Sequence, residues 1–312
     1  MLVVRAARLP DAPAIAEIYN CGIAEHAATF ETEPRSTADI ERRLGEADEH
    51  PIVVVDADDA GVVGWAGLSL YRPRSCYSGI AEFSIYVAPA WRGRGVGRTL
   101  LDGLVAMAED CGYWKLVSRV FVFNLASRAV CRAAGFREVG IYARHGFLDG
   151  EWRDVVIVER LIPANQTPTG LRFRRARAAD WPAVAALLDA AHLPRAGARE
   201  HFAHFVIALD RDRIVGAAGL ECYDAVGLLR SVVLDNAHRG AGAGQWLVAR
   251  ALRDAARAGI AEIVLLTTTA EAFFARLGFT RITRGDVPDA IRTSTELTGA
   301  CPDTAVVMRR RL

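Results

Sequence analysis

Two short stretches carry the residue types of an anion site. Residues 91–97 read WRGRGVG and residues 238–244 read HRGAGAG, each lying between a β-branched run and the start of a helical pattern. The amides of such a turn belong to the first, unpaired turn of the helix and are backed by the positive end of its dipole, which suits an anion. Glycine keeps side chains from holding a pyrophosphate away from the backbone, and some loop angles require it. The flanking arginines, Arg92 and Arg94, add positive charge. A glycine-softened turn that holds nothing is the other reading. Neither stretch ends in GK[ST], which argues against a Walker A loop, and each follows several strands instead of opening a βαβ unit, which argues against a dinucleotide fold. Coenzyme A is the phosphate-bearing ligand that remains.

The elements that must position these turns recur twice. PANQTPTG, residues 163–170, is a polar Pro/Gly/Thr stretch between apolar segments and reads as a linker. On either side of it the chain gives a short strand, a proline-marked turn and a helix (LVVRAARLPDAPAIAEIYN and LRFRRARAADWPAVAALLDA). GRGVGRTLLDGLVAMAEDCGY matches GAGAGQWLVARALRDAARAGI, and CRAAGF matches FARLGF, in the same order. In the first half PIVVVDA, GVVGWAGLSLY and AEFSIYVAP predict an antiparallel meander. A helix follows from about Gly95 with Leu100, Leu101, Leu104, Val105 and Ala108 on one stripe. A strand (KLVSRVFVF), a helix (LASRAVCRAA) and a closing pair of strands complete it. The second half runs through HFVIALD, RIVGAAGLECY and VGLLRSVVLD, a helix to about Gly259, EIVLLTT and AEAFFARLGF. Both halves therefore read as mixed α/β with a helix inserted after the fourth strand.

Composition bounds the partners. With 312 residues, 52% of them hydrophobic and 24% charged, the chain supports two domains with real cores. Its 38 basic and 37 acidic residues leave no charge excess to suggest nucleic acid or a membrane surface. The six cysteines, Cys21, Cys76, Cys111, Cys131, Cys222 and Cys301, include no CxxC pair and no His-rich neighbour at zinc spacing, so no metal is expected. The first residues, MLVVRAARLPDAP, carry no long apolar core and no apolar run approaches bilayer length. A reduced, cytoplasmic setting and small-molecule chemistry are the expectation.

The pattern [Q/R]-x-x-G-x-[G/A] between a fourth strand and a long helix, followed by a small helix ending in Gly-Phe, resembles the GNAT family of acetyl-CoA-dependent N-acetyltransferases. Arg92, Gly95 and Gly97 fit it in the first half, and Arg239, Gly242 and Gly244 in the second. The resemblance implies a tandem of two GNAT domains, 1–162 and 171–312, each a mostly antiparallel twisted sheet flanked by helices. It also implies that the backbone of Ile85, Tyr86 and Val87 pairs with the pantetheine arm, while Gly93, Arg94, Gly95, Val96, Gly97 and Arg98 hold the pyrophosphate. In the second half Val232, Val233 and Leu234, then Gly240, Ala241, Gly242, Ala243, Gly244 and Gln245, take these parts.

Amine acetylation needs a proton acceptor beside the thioester and stabilisation of developing negative charge. Glu82, at the start of FSIYV, is the carboxylate before the first turn; taken alone it is equally a surface or salt-bridged residue. YNCGIAEHAATFETEP, YRPRSCYSGIAEFSIYVAPAWRGRGVG and HGFLDGEWRDVVIVERL resemble the phosphinothricin N-acetyltransferases and their arsinothricin-acetylating relatives. That resemblance implies Glu82 as general base, directly or through water, Asn124 and Ser127 as coenzyme contacts, and an amino-acid substrate with an anionic phosphinate or arsenic head. Arg72 and Arg74 suit such a head because guanidinium binds two oxygens at once, with Tyr77 and Phe30 in the matching substrate segments. Cys131 stands four before Gly135, where relatives carry His or Tyr; it is the candidate acid for the departing thiolate, core packing being the alternative.

Aligning Arg92 with Arg239 puts Leu229 at the position of Glu82, and Phe274 stands four before Gly278, so base and acid are both missing there. Glu221 is the nearest carboxylate in sequence, and Arg230 either meets a substrate carboxylate or faces solvent. AAHLP, LLRSVVLDNAHRGAGAG and TELTGACPDTAVVM resemble a small GNAT group associated with bacterial arsenic resistance. The expected protein is an N-acetyltransferase acting on a small amino-acid toxin or antibiotic, with acetyl-CoA as donor and a small-molecule amine as partner. A homodimer stays open. The alternatives are an acyl-CoA-binding protein with one silent domain, or an N-acetyltransferase of ordinary amino acids such as methionine derivatives.

Overall fold

The computed structural model describes residues 1–47 and 49–312 and divides into two compact units, 1–166 and 167–312. In the first unit the chain forms β1 (Leu2–Ala6), α1 (Ala12–Ala24), α2 (Thr37–Gly45), β2 (Ile52–Ala57), β3 (Val62–Leu70), β4 (Ile80–Val87) and α3 (Val96–Asp110). β5 (Lys115–Phe121), α4 (Leu125–Ala133), β6 (Arg137–Leu148) and β7 (Glu151–Leu161) follow. Its seven strands run in the order β1-β2-β3-β4-β5-β7-β6, and β4 with β5 is the one parallel neighbour pair among them.

Both faces of this sheet are covered, which is why β2 and β3 are buried almost continuously along their length and do not show a clean alternation of buried and exposed residues. One face packs under α3, whose predicted stripe of Leu100, Leu101, Leu104, Val105 and Ala108 is buried against Val55, Phe83 and Leu116. The other lies under α1, where Ile15 and Tyr19 meet Trp65 and Tyr86. The sequence reading passed over α2. Its start is set by a capping box in which Ser36 Oγ accepts from Asp39 N at 3.2 Å while Asp39 Oδ2 accepts from Ser36 N at 3.0 Å.

The second unit repeats the plan. It comprises β8 (Arg172–Arg175), α5 (Trp181–Ala190), β9 (Val206–Asp210), β10 (Arg213–Tyr223), β11 (Val226–Leu234) and α6 (Ala243–Arg257). β12 (Glu262–Thr267), α7 (Glu271–Arg276), β13 (Thr280–Ile282) and β14 (Val306–Arg311) complete it. The strand order β13-β14-β12-β11-β10-β9-β8 is that of the first unit taken from its other edge. The halves differ at that edge. β6 has 12 residues where β13 has 3, and a π-helical turn, Glu296–Ala300, lies between β13 and β14.

Part of the stretch read as a linker is docked. Asn165 is buried and its Nδ2 donates to Glu109 O at 2.8 Å and Tyr113 O at 2.9 Å, satisfying carbonyls at the end of α3. No helix among the described residues is long and apolar enough to cross a membrane.

Candidate functional site

Each sheet opens at its parallel pair. β4 and β5 pair from Ile80↔Lys115 to Glu82↔Val117, yet β4 continues to Val87 and β5 to Phe121. Past Glu82 the strands part, so the backbone of Phe83, Ser84, Ile85 and Tyr86 forms one wall of a cleft and Ser118, Arg119, Val120 and Phe121 the other. β11 and β12 behave identically, pairing from Val226↔Glu262 to Leu229↔Leu265 before β11 runs on to Leu234. Glu82 and Leu229 thus hold equivalent places, at the apex of the split.

A glycine turn follows each parted strand. Gly93 and Gly95 have φ of +75° and +83°, and Gly240 and Gly242 both have +85°, a region in which other residues are strained. Gly95 and Gly242 are the N-caps of α3 and α6. The helical hydrogen bonds begin at Arg98 N to Gly95 O and Gln245 N to Gly242 O, both 3.0 Å, so the amides ahead of them have no carbonyl upstream in the helix. A Cβ placed on Gly93, Gly95, Gly240 or Gly242 would meet no protein atom within 4 Å. Open space, outward amides and the helix N-terminus fit a pyrophosphate in both halves.

Arg92 and Arg239 fasten the turns to the fold. Arg92 Nε donates to Val87 O at 3.2 Å and Arg239 Nε to Leu234 O at 3.1 Å, fastening each turn to the end of its strand. Arg92 also pairs with Glu25 at 2.8 Å, Arg98 pairs with Asp102 at 2.6 Å and donates to Ala133 O, and Arg94 lies 5.1 Å over Trp91. Of the charge expected from Arg92 and Arg94, that of Arg92 is spent on Glu25 while Arg94 lies over Trp91 with no carboxylate partner among the described residues, so backbone amides are the main donors left for the anion.

The first cleft encloses about 430 Å³, lined by Phe30, Glu82, Tyr86, Arg119, Asn124, Ser127 and His145 among others. Arg119 Nε donates to Glu82 Oε1 at 3.0 Å and its Nη2 reaches both carboxylate oxygens. Sequence reasoning missed Arg119, although it stands two residues beyond the strand partner of Glu82 and so on the same face of β5. Asn124 is the N-cap of α4, its Oδ1 accepting from Ser127 N at 3.0 Å and its Nδ2 donating to Ala27 O at 2.9 Å. Phe30 meets Phe121 edge-on at 4.7 Å and faces His145 at 6.2 Å. The side chain of Tyr86 turns away from β5 and stacks on Trp65 at 5.1 Å, leaving its backbone as the part that faces the cleft.

Three expected substrate contacts lie elsewhere. Arg72, Arg74 and Tyr77 sit on the segment between β3 and β4, outside the residues that line the cleft. Arg72 lies 5.2 Å over Tyr71, which meets Tyr77 edge-on at 5.7 Å, so these side chains pack on one another. The guanidinium facing the cleft is that of Arg119. Cys131 does touch the cleft, but it is 1% exposed in the core under α3. Burial, then the charge of Glu138, pushes its thiol up to about 12. A thiol that weak in acidity does not readily protonate another thiolate of ordinary pKa, ~8.5, and the acid role is withdrawn in favour of core packing.

In the second unit cradle and cleft form one cavity of about 900 Å³, lined by Val232, Val233, Leu234, Arg239, Gly240, Gly242, Gly244 and Gln245 at one end. Its other end is framed by His192, Leu193, Pro194, Leu229, Arg230, Glu296, Cys301 and Ala305. Arg230 neither faces solvent nor stands free: it is 4% exposed, with Nη1 on Glu221 Oε1 at 2.5 Å, Nη2 on Glu296 Oε1 at 2.7 Å and on Ala196 O at 2.7 Å. Glu221, expected as the nearest replacement carboxylate, is 1% exposed and does not line the cavity. Burial works against its charge, but hydrogen bonds from Tyr223, Arg230 and Ser294 outweigh that and hold it below the usual carboxylate range.

Residues 15–136 match the Acetyltransferase (GNAT) family and residues 201–281 an Acetyltransferase (GNAT) domain. The chain is 35% identical to the phosphinothricin N-acetyltransferase of Alcaligenes faecalis, over 53% of its own length and 84% of that protein. It is 28% identical to an L-methionine sulfoximine/L-methionine sulfone acetyltransferase of Salmonella typhimurium, over 54% of its length and 98% of that enzyme. A Salmonella typhimurium acetyltransferase solved with its cofactor acetyl-CoA superposes with a TM-score of 0.51 at 26% identity, covering 54% of this chain and 98% of that one.

Proposed function

The chain belongs to the GNAT acetyltransferase family and is an N-acetyltransferase with acetyl-CoA as its acetyl donor, and from that premise we propose that the first unit acetylates the amino group of a small amino acid bearing a compact oxyanion head. Phosphinothricin and arsinothricin are of this class, methionine sulfone offers a neutral head of the same tetrahedral shape, and acetylation of such a toxin would confer resistance. The two acetyltransferase domains correspond to the two compact units, 1–166 and 167–312. Acetyl-CoA supplies an activated acyl carbonyl. Ile85, Tyr86 and Val87 hold its pantetheine arm by backbone, the amides of the 93–98 turn its pyrophosphate, and Asn124 and Ser127 the wall facing β4.

Glu82 takes the amine proton, directly or through water. The observation that carries this reading is the place of its carboxylate at the apex of the parted strands, orientated by Arg119 in a cleft of about 430 Å³. The names of the relatives agree with such a substrate. Arg119 shares its donors between Glu82 and the oxyanion head of the substrate, and Phe30 and His145 close the side of the cleft against water. In the intact chain, Glu82→Gln should lower kcat on L-phosphinothricin or L-methionine sulfone by ~10²- to 10⁴-fold, the usual worth of a positioned proton acceptor. Thiol release from acetyl-CoA reads this directly, and an unchanged kcat at neutral pH would remove Glu82 from the role.

A second copy of the chain is the expected neighbour of β6. That strand is a sheet edge exposed on both faces, with Ile141, Tyr142, Phe147 and the paired Trp152 between 52% and 61% exposed. A long apolar edge left open invites pairing.

A further inference from the structure

We propose that the second unit is a catalyst in its own right, with Glu296 as the proton acceptor and a primary amine that carries no acidic group as the substrate. Leu229 occupies the apex position held in the first unit by Glu82, and it is apolar. A carboxylate nevertheless reaches the cavity from another element. Glu296 lines it from the π-helical turn before β14, fixed by Arg230 Nη2 at 2.7 Å, and Arg230 is the residue after the last β11–β12 pair. The carboxylate is thus held beside the apex, next to the parted strand and its glycine turn, as Glu82 is by Arg119.

The charge around it favours a cation. Arg230 is one guanidinium between two carboxylates, Glu221 and Glu296, all three at most 6% exposed. Cys301 donates its thiol hydrogen to Glu296 Oε2 and brings no positive charge. The other arginines that line the cavity, Arg239 and Arg276, belong to the glycine turn and to α7, and Arg284 is engaged by Pro302 O at 2.9 Å and lies 3.8 Å from Asp303. An uncompensated buried carboxylate is costly, and a substrate ammonium would balance it. The first cleft differs, since Glu82 and Arg119 already cancel there. Leu193, Pro194, Leu229 and Ala305 give this end an apolar wall beside His192, which suits an amine with an apolar body.

The reaction balances. The ammonium gives one proton to the Glu296 carboxylate, and the freed nitrogen lone pair forms the C–N bond to the acetyl carbon. The C–S bond breaks with its electron pair on sulfur, which takes a second proton from the nitrogen. Glu296 later releases its proton to water, leaving the N-substituted acetamide and the free thiol.

The test uses the full chain carrying Glu82→Gln, with 2-phenylethylamine as probe. This variant should acetylate the probe and prefer it to L-methionine sulfone. Adding Glu296→Gln should cut kcat by ~10²-fold or more, and calorimetry should show 2-phenylethylammonium binding at least tenfold weaker, with coenzyme A still bound at two sites per chain. Glu296→Asp keeps the charge and the Arg230 pair but withdraws the carboxylate by one methylene; it should retain affinity within a few-fold and lose kcat at least tenfold. No turnover of the probe by the Glu82→Gln chain, or full rates in Glu296→Asp, overturns the proposal. Activity on L-methionine sulfone surviving Glu82→Gln would instead count against the role of Glu82 in the first unit, leaving the Glu296 comparison intact.

Discussion

At the scale of single residues, chemistry depends on what each side chain is paired with. Glu82 is positioned by Arg119, whose own side chain is 45% exposed and can turn toward a ligand. Replacing Arg119 by Ala removes both the orienting contact and the cation nearest the apex. KM for an oxyanion-bearing amino acid should rise about tenfold or more, since a charge-assisted contact contributes ~1.5–3 kcal/mol. Steady-state kinetics on L-phosphinothricin would show it, and an unchanged KM would exclude Arg119 from the head-group contact. Cys131 makes the opposite prediction. Because it is buried among Phe83, Leu104 and Val158, Cys131→Ala should leave kcat within about twofold while lowering stability by roughly 1 kcal/mol. A large loss of kcat with unchanged stability would restore it as an acid.

At the scale of elements, the two glycine turns are the parts most tightly determined by backbone angle. Gly242 has φ of +85° and an added Cβ would project into open space. Gly242→Ala should therefore strain the turn by ~1–2 kcal/mol and weaken coenzyme A binding at the second site alone, as calorimetry on the intact chain would resolve. The segment ahead of that turn is also pH-sensitive. His238 Nδ1 lies 2.5 Å from Asp235 Oδ1 and its Nε2 3.3 Å from Asp210 Oδ2, and Asp235 above all raises the histidine pKa from 6.5. A raised value means the folded state holds the proton more tightly than the unfolded chain. Its stabilisation is complete below 6.5 and fades as pH climbs through the folded value. Asp235 is lowered from 3.8 by the same contact and loses its share as pH falls through the folded value. The difference in Tm between the parent and His238→Gln should thus be larger at pH 5 than at pH 8.5; a difference that grows with pH would refute the linkage.

At the scale of the whole molecule, the repeated topology and the duplicated cradle predict two coenzyme A sites per chain. Calorimetry should give a stoichiometry near two for the parent and near one for either Gly95→Asp or Gly242→Asp, because a carboxylate in the cradle repels pyrophosphate. The exposed face of β6 predicts association. Ile141 and Tyr142 replaced by Asp should give a species of half the mass by sedimentation if a second copy covers this edge, and an unchanged mass would show that it does not.

Much of this plan is legible in the residues themselves. Glycines at fixed places between an apolar strand and a striped helix specify the turn, its angles and its anion preference through local sterics and hydrogen bonding alone, and their recurrence specifies the duplication. Glu82 could be singled out as a candidate because it is the carboxylate on the strand that leads into such a turn and because the stretches around it resemble the phosphinothricin N-acetyltransferases. Arg119, the Arg72 and Arg74 placements, the burial of Cys131 and the Glu221–Arg230–Glu296 cluster were not legible, because each depends on which strands become neighbours and where they part. Arg119 meets Glu82 across 37 residues, and Glu296 reaches Arg230 from a turn whose position is fixed by β14. Those contacts exist only once the sheet has chosen its order, a choice made by burying both faces of β3 and β10 under helices and by no residue locally.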